Sequence, residues 1–110
     1  MNLPNGDNAV VDIEKLRDYC LNPNHLRGRH KARVFASALG LTADNADELR
    51  YAILHAAKSG NARPTDIDGF GSRYVLDFHW NDVGQGSVIR TTWIIRTDED
   101  VPRLTSCYVL

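Results

Sequence analysis

The chain has few cysteines, few prolines and almost no net charge. Its 110 residues include two Cys and four Pro, and the formal net charge is −1. Cys20 and Cys107 are far apart and match no metal or redox spacing, so we expect two buried thiols that form no disulfide. A near-neutral chain lacks the broad basic surface with which some proteins coat nucleic acid, which leaves room only for a local basic site.

Long apolar runs are also missing. No stretch approaches the roughly 18 apolar residues that a membrane-spanning helix needs. The first residues, MNLPNGDNAV, contain no basic segment followed by an apolar one, which is the pattern of a secretory leader. We therefore expect a cytoplasmic protein with no membrane partner.

Apolar residues recur at helical spacing in the first half of the chain and alternate in the second half. Helices are predicted between Asp12 and Leu21, from about Arg29 to Gly40, and between Thr42 and Gly60. Strands are predicted over residues 74–80, 87–96 and 103–110. Asp12 suits an N-cap and Gly40 suits a left-handed C-cap.

These elements predict a single domain over residues 1–110. A turn-rich lead-in (1–11) precedes a helical half (12–60), and a sheet half (71–110) follows the loop NARPTDIDGFG, with turns at NDVGQG and TDEDVP. Helices followed by hairpin-linked strands indicate an α+β fold. We expect two or three N-terminal helices packed on one face of a three- to four-stranded antiparallel β-meander, with the other face available for a site.

The nine residues HLRGRHKAR, 25–33, hold two histidines and four side chains of fixed positive charge without one acid. They lie before and within the first turn of the second predicted helix, where unpaired backbone N–H groups and the helix dipole favour an anion. A histidine among cations is held neutral, as a general base requires. Alternatively the segment is a solvated helix start whose arginines pair with acids such as Asp18 or Asp47.

The central predicted strand carries Arg90, Thr91 and Thr92 among large apolar residues. A guanidinium in such a strand needs a partner. Arg90 either pairs with an acid on the adjoining strand, such as Asp77, or faces a phosphate. The threonines either contact the same ligand or are present for their β-propensity.

Several kinds of site are not indicated. Asp66 with Asp68, and Asp77 with His79, form no recognised ligand set, so no metal and no other cofactor is expected. The sequence contains no nucleophile elbow and no glycine-rich phosphate loop. We therefore expect any catalysis to depend on side-chain acids, bases and cations.

Five short motifs occur in order between residues 21 and 104: LNPNH, GRHKARVF, GSRY, RTTW and PRL. In this series the chain resembles an uncharacterised bacterial domain family found as small standalone proteins and as the C-terminal cargo domain of polymorphic toxins. The layout is also similar to that of the barnase–EndoU–colicin–RelE ribonucleases, by analogy of architecture. The resemblance singles out residues in both halves of the chain: His25, Gly28, Lys31, Phe35, Arg90, Thr91, Trp93, Arg103 and Tyr108.

Metal-free RNA cleavage needs a base, an acid and cations around the phosphate. The resulting hypothesis is a toxin-like, metal-independent endoribonuclease with RNA as substrate. His25 transfers a proton and His30 is the reserve acid–base group. The catalytic set is completed by Lys31, Arg90, Thr91 and Ser106, and the substrate-binding set is Arg27, Arg29, His30 and Tyr108.

The alternative is a non-catalytic interaction module of the inhibitor, immunity or toxin–antitoxin type. In that case the basic segment docks an acidic partner protein through steering and rim contacts. The resemblance to toxin cargo domains also implies a cognate inhibitor as a partner. Convergence of His25, Lys31 and Arg90 on one concave site favours the enzyme, whereas scattered placement favours the binder.

Overall fold

The computed structural model describes residues 1–80 and 87–110. A 3₁₀ turn occupies the lead-in at Gly6–Asn8. The helices are α1 (Ile13–Lys15, continued by the π-helical turn Leu16–Cys20), α2 (Arg29–Leu39) and α3 (Ala46–Ser59). The strands are β1 (Ala62–Asp68), β2 (Gly71–His79), β3 (Val88–Arg96) and β4 (Arg103–Val109). The turn predicted at residues 81–86 lies outside the described residues.

Local signals set the helix ends as predicted. The Asp12 carboxylate accepts a hydrogen bond from the Glu14 N–H, and Gly40 ends α2 with a φ of 67°. Thr42 and Asn45 form a capping box around a 3₁₀ turn, so α3 begins at Ala46 rather than directly after Thr42. The short polar side chains thus satisfy backbone N–H groups that a helix leaves unpaired at its start.

The strands form one antiparallel sheet in the order β1-β2-β3-β4. Three helices followed by this meander confirm the predicted α+β fold. β3 lies between β2 and β4, which explains why it is apolar along most of its length. Cys20 and Cys107 are buried and free, as predicted.

The sheet half begins earlier than predicted, because β1 occupies a segment that we expected to be a loop. After Ala62 every side chain of β1 is exposed, and the pairing of β1 with β2 is interrupted between Pro64 and Ile67. An edge strand with a proline, a bulge and no buried face has none of the alternation that marks a strand in sequence.

Strict alternation predicts that Leu104, Ser106 and Tyr108 share one face of β4, and this prediction is wrong for Leu104. Leu104 pairs with Trp93 and Ser106 pairs with Thr92, so Thr105 is an extra residue in β4. This bulge turns Leu104 to the same side as Cys107, and both are buried. A single inserted residue moves all following side chains to the other face of the sheet.

The two faces of the sheet differ in their surroundings. The inner face carries Leu76, Ile89 and Trp93, and these residues join Phe35 and Leu49 from the helices in the core. On the outer face, strand register places Asp77 and Tyr108 on either side of Arg90. The core therefore fixes the sheet from one side and leaves a row of polar side chains on the other.

Candidate functional site

Most cations of the basic segment are exposed at the start of α2. Arg27, Arg29, His30 and Arg33 are all exposed. Within residues 1–80 and 87–110, none of the three arginines forms an ion pair with a carboxylate. The alternative prediction, that these arginines pair with Asp18 or Asp47, is therefore wrong for the described residues. Asp18 pairs with Arg17 instead.

His25 has a defined local role just before α2. Its Nδ1 accepts hydrogen bonds from the backbone N–H groups of Arg27 and Gly28, both at 3.1 Å. Its ring meets the Tyr19 ring edge-on, with centroids 4.7 Å apart. Because Nδ1 acts as an acceptor, the hydrogen of the neutral ring is on Nε2. His25 thus satisfies two backbone N–H groups in the turn that precedes α2.

Gly28 allows this arrangement to form. A Cβ at this position would lie 2.4 Å from the Tyr19 carbonyl oxygen and 2.8 Å from the Tyr19 ring. Any larger residue would therefore push α2 away from the end of α1. The glycine of the GRHKARVF motif is explained by this close approach.

Arg90 is held by an acid on the neighbouring strand. Its Nε and Nη2 donate to the two carboxylate oxygens of Asp77 at 2.8 and 2.9 Å, which confirms the pairing that we weighed for this position. The guanidinium lowers the pKa of Asp77. In turn Asp77, and then the nearby Tyr108 hydroxyl, raise the pKa of Arg90. The pair fixes the orientation of the guanidinium on the outer face.

Lys31 approaches the same tyrosine from the helical half. Its Nζ lies 4.8 Å from the centre of the Tyr108 ring, within the range of a cation–π contact. Tyr108 stands directly across from Arg90 in the sheet register. Lys31, Tyr108 and Arg90 therefore form a continuous group, which we call the basic cluster.

The hydroxyl residues predicted for the site are divided between the two faces. Thr91 is buried on the inner face, where its Oγ1 donates to the Leu76 carbonyl at 2.6 Å and accepts from Trp93 Nε1 at 2.8 Å. Its side chain supports the core and is not on the surface with Arg90. Ser106 pairs with Thr92 on the outer face, and its buried Oγ has no hydrogen-bond partner among the described residues.

A cleft that we did not predict opens between α3 and the end of β2. It has a volume of about 670 Å³. Five of the residues that line it have ring side chains, Tyr51, His55, Phe78, His79 and Trp80; we call it the aromatic cleft. Sequence spacing held one signal, because Tyr51 and His55 are four residues apart and so share one face of a helix. Their link to β2 depends on the tertiary fold.

Two acids that we considered as metal ligands and set aside, Asp68 and Asp77, have other partners. Asp68 accepts hydrogen bonds from the backbone of Phe70 and Gly71 and from Arg73, and Asp77 binds Arg90. No three His, Cys, Asp or Glu side chains group as metal ligands in the described part of the chain. None of the described helices has the length and apolar character to cross a membrane.

Comparison with known proteins gives one match. Residues 2–110 match the family described as a domain of unknown function, DUF6883. The chain belongs to this family. The match spans both halves of the chain, including the basic cluster and the aromatic cleft. No curated protein and no solved structure matches the chain.

Proposed function

We propose that this domain is a toxin-type, metal-independent endoribonuclease that binds an RNA phosphodiester at the basic cluster. The observation that supports the proposal best is the placement of Lys31 from α2 and Arg90 from β3 on the same residue, Tyr108. The motif resemblance to toxin cargo domains supports it independently. Two cations on an open sheet face are suited to stabilising the additional negative charge of a phosphorane.

The residues around the basic cluster take separate parts in this proposal. Lys31 and Arg90 neutralise the phosphate, and the hydroxyl group of Tyr108 donates a hydrogen bond to it. The Ser106 Oγ is buried and makes no direct contact with the phosphate. Arg27, Arg29 and His30 bind neighbouring phosphates of the strand, because exposed cations at a helix start attract the RNA backbone. Thr91 supports the sheet from within and takes no part in binding.

Proton transfer is assigned to the two imidazoles, with a difference between them. His30 is exposed on α2 and its ring makes no hydrogen bond within the described residues. His25 carries its hydrogen on Nε2 while Nδ1 accepts two backbone N–H groups. Because Nε2 already carries a hydrogen, His25 can accept a proton only at Nδ1, and only after those two hydrogen bonds are broken. His25 is thus suited to donate a hydrogen bond to a phosphate oxygen. His30 is suited to take the proton of the 2′-hydroxyl and to return it to the leaving 5′-oxygen.

The test is RNA cleavage by the purified domain in the presence of EDTA. Lys31→Met keeps the aliphatic stem that packs on Tyr108 and removes only the charge, whereas Lys58→Met removes an exposed charge at the end of α3. We expect wild type and Lys58→Met to cleave RNA and Lys31→Met to lose about 10²- to 10³-fold in rate. Equal rates for both variants, or no cleavage by wild type, would contradict the proposal.

The second candidate is a non-catalytic module that binds an acidic partner protein. Two observations favour it: His25 is used as a local cap, and the charge of Arg90 is already neutralised by Asp77. In this case the exposed arginines of α2 carry the interaction, and the domain neither cleaves RNA nor arrests growth. Expression in bacteria, scored for growth and RNA integrity together, separates the two candidates.

A further inference from the structure

The aromatic cleft has the composition of a site for a flat ring. Tyr51 and His55 form one wall on α3, with ring centroids 6.4 Å apart and an angle of 29° between their planes. Phe78 and Trp80, which pack against the core on the inner side of the sheet, form the opposite wall. Tyr51 is 74% exposed, so most of its ring surface is available to a ligand rather than used in the core.

The charges around the aromatic cleft do not favour a phosphate as the main ligand. Among the described residues that line it, none is Lys or Arg, and Glu48 contributes a carboxylate. The His55 imidazole and the Glu48 carboxylate offer both donors and acceptors. Such groups match the edge of a nucleobase, whose amino groups donate and whose ring nitrogens and carbonyls accept.

Size points to the same ligand. Small-molecule sites occupy roughly 300–1,000 Å³, and the cleft, at about 670 Å³, lies within this range. Phe78 and Trp80 pack against the core on the inner side of the sheet, whereas Asp77 and Arg90 pair on the outer face. The cleft is therefore a separate site from the basic cluster.

We infer that the aromatic cleft binds a single nucleobase of the RNA substrate by stacking against Tyr51 and Trp80. The inference rests on the proposed function for its biological substrate, but the cleft itself recognises the base and not the phosphate. Stacking on aromatic side chains is the usual way in which proteins hold unpaired bases.

The experiment is a titration of the whole domain with free nucleosides, which carry no phosphate. Trp80 serves as the fluorescence reporter, because the other tryptophan, Trp93, is only 1% exposed. We expect saturable quenching by at least one of guanosine, adenosine, cytidine and uridine at millimolar concentration, and no quenching in Trp80→Phe. Tyr51→Ala should weaken binding by at least about fivefold, the lower limit for loss of one stacking ring.

Phe70→Ala is the matched control, because Phe70 is also 74% exposed but lies in the β1–β2 turn. It should bind nucleosides as wild type does, and so should Lys31→Met. If no nucleoside quenches Trp80, or if Phe70→Ala weakens binding as much as Tyr51→Ala, the inference is overturned. Loss of cleavage in Lys31→Met would still support the proposed function, so the two can fail separately.

Discussion

The cations at the start of α2 and the cations of the sheet differ in what they bind. On and around the sheet, Arg73, Arg90 and Arg103 contact carboxylates at 3.1 Å or less. Within the described ranges, Arg27, Arg29 and Arg33 contact none, although Asp18 and Asp47 were expected as partners. The same chain therefore neutralises one group of cations internally and leaves the other to solvent.

This difference indicates what each group does. The paired arginines fix strands and turns, and exposed pairs of this kind add little stability. The unpaired arginines lose no internal partner when they bind an external anion. The basic cluster contains one cation of each kind. Among the described residues Lys31 forms no ion pair with a carboxylate, whereas Arg90 is paired with Asp77.

The largest effect on the rate of RNA cleavage is expected for Arg90, the paired arginine of the basic cluster. Removing Arg90 alone would leave Asp77 unpaired, so the useful variant is Arg90→Gln with Asp77→Asn. We expect RNA cleavage to fall about 10²- to 10³-fold, because a guanidinium that stabilises the transition state is lost. Arg96→Gln, at an exposed arginine beside Glu99, should cleave as wild type does. Similar losses in both would show that sheet arginines act only through stability.

Thr91 tests whether the inner face is purely structural. Thr91→Val removes the hydroxyl that joins the Leu76 carbonyl and Trp93 Nε1 and leaves a buried indole N–H without a partner. The free energy of unfolding should fall by about 1–3 kcal/mol, measured by urea denaturation. Thr91→Ser keeps the hydroxyl and should retain both stability and cleavage. A Thr91→Ser enzyme that is stable but inactive would return Thr91 to the catalytic set.

His25 separates capping from catalysis. His25→Ala removes the acceptor for two backbone N–H groups of the turn before α2 and should lower the free energy of unfolding by about 1 kcal/mol, as loss of a typical hydrogen bond does. His25→Asn offers a carbonyl oxygen in a similar place and should regain most of that stability. If His25 acts only through the cap, His25→Asn also regains cleavage. An inactive but stable His25→Asn would assign proton transfer to this imidazole.

The smallest effect is expected when a single unpaired arginine is replaced, and it is seen in the salt dependence of RNA affinity. Arg29→Gln should reduce the slope of log affinity against log salt for RNA by about one unit, since one phosphate contact is lost. Arg17→Gln is the control, because Arg17 is exposed but already paired with Asp18 at 3.0 Å. If both variants change the slope equally, the proposed difference between paired and unpaired arginines is contradicted.

Much of the fold was predictable because its signals are local. The apolar stripes of α2 and α3, the Asp12 cap and the Gly40 cap depend on neighbours in sequence. β1 was not predictable, since an edge strand with exposed side chains looks like a loop. The bulge at Thr105 was not predictable from the sequence either, because it is defined only by the pairing of β4 with β3.

The candidate site was predictable only in its parts. Sequence indicated Lys31, Arg90 and Tyr108 one at a time, and alternation allowed the Arg90–Asp77 pair. The contact between Lys31 and Tyr108 depends on how α2 packs against β4. No local sequence pattern predicts this packing. The cap formed by His25 was missed because a histidine Nδ1 is an uncommon acceptor at a helix start.

The most direct test of the basic cluster is an NMR titration with a short 2′-O-methyl RNA, which binds but has no 2′-hydroxyl to react. The account predicts that the signals of the Lys31 side chain, the Arg90 guanidinium and the Tyr108 ring shift together with one affinity, while those of Arg96 and Arg103 stay in place. Shifts confined to Arg96 and Arg103, or spread evenly over all arginines, would contradict it.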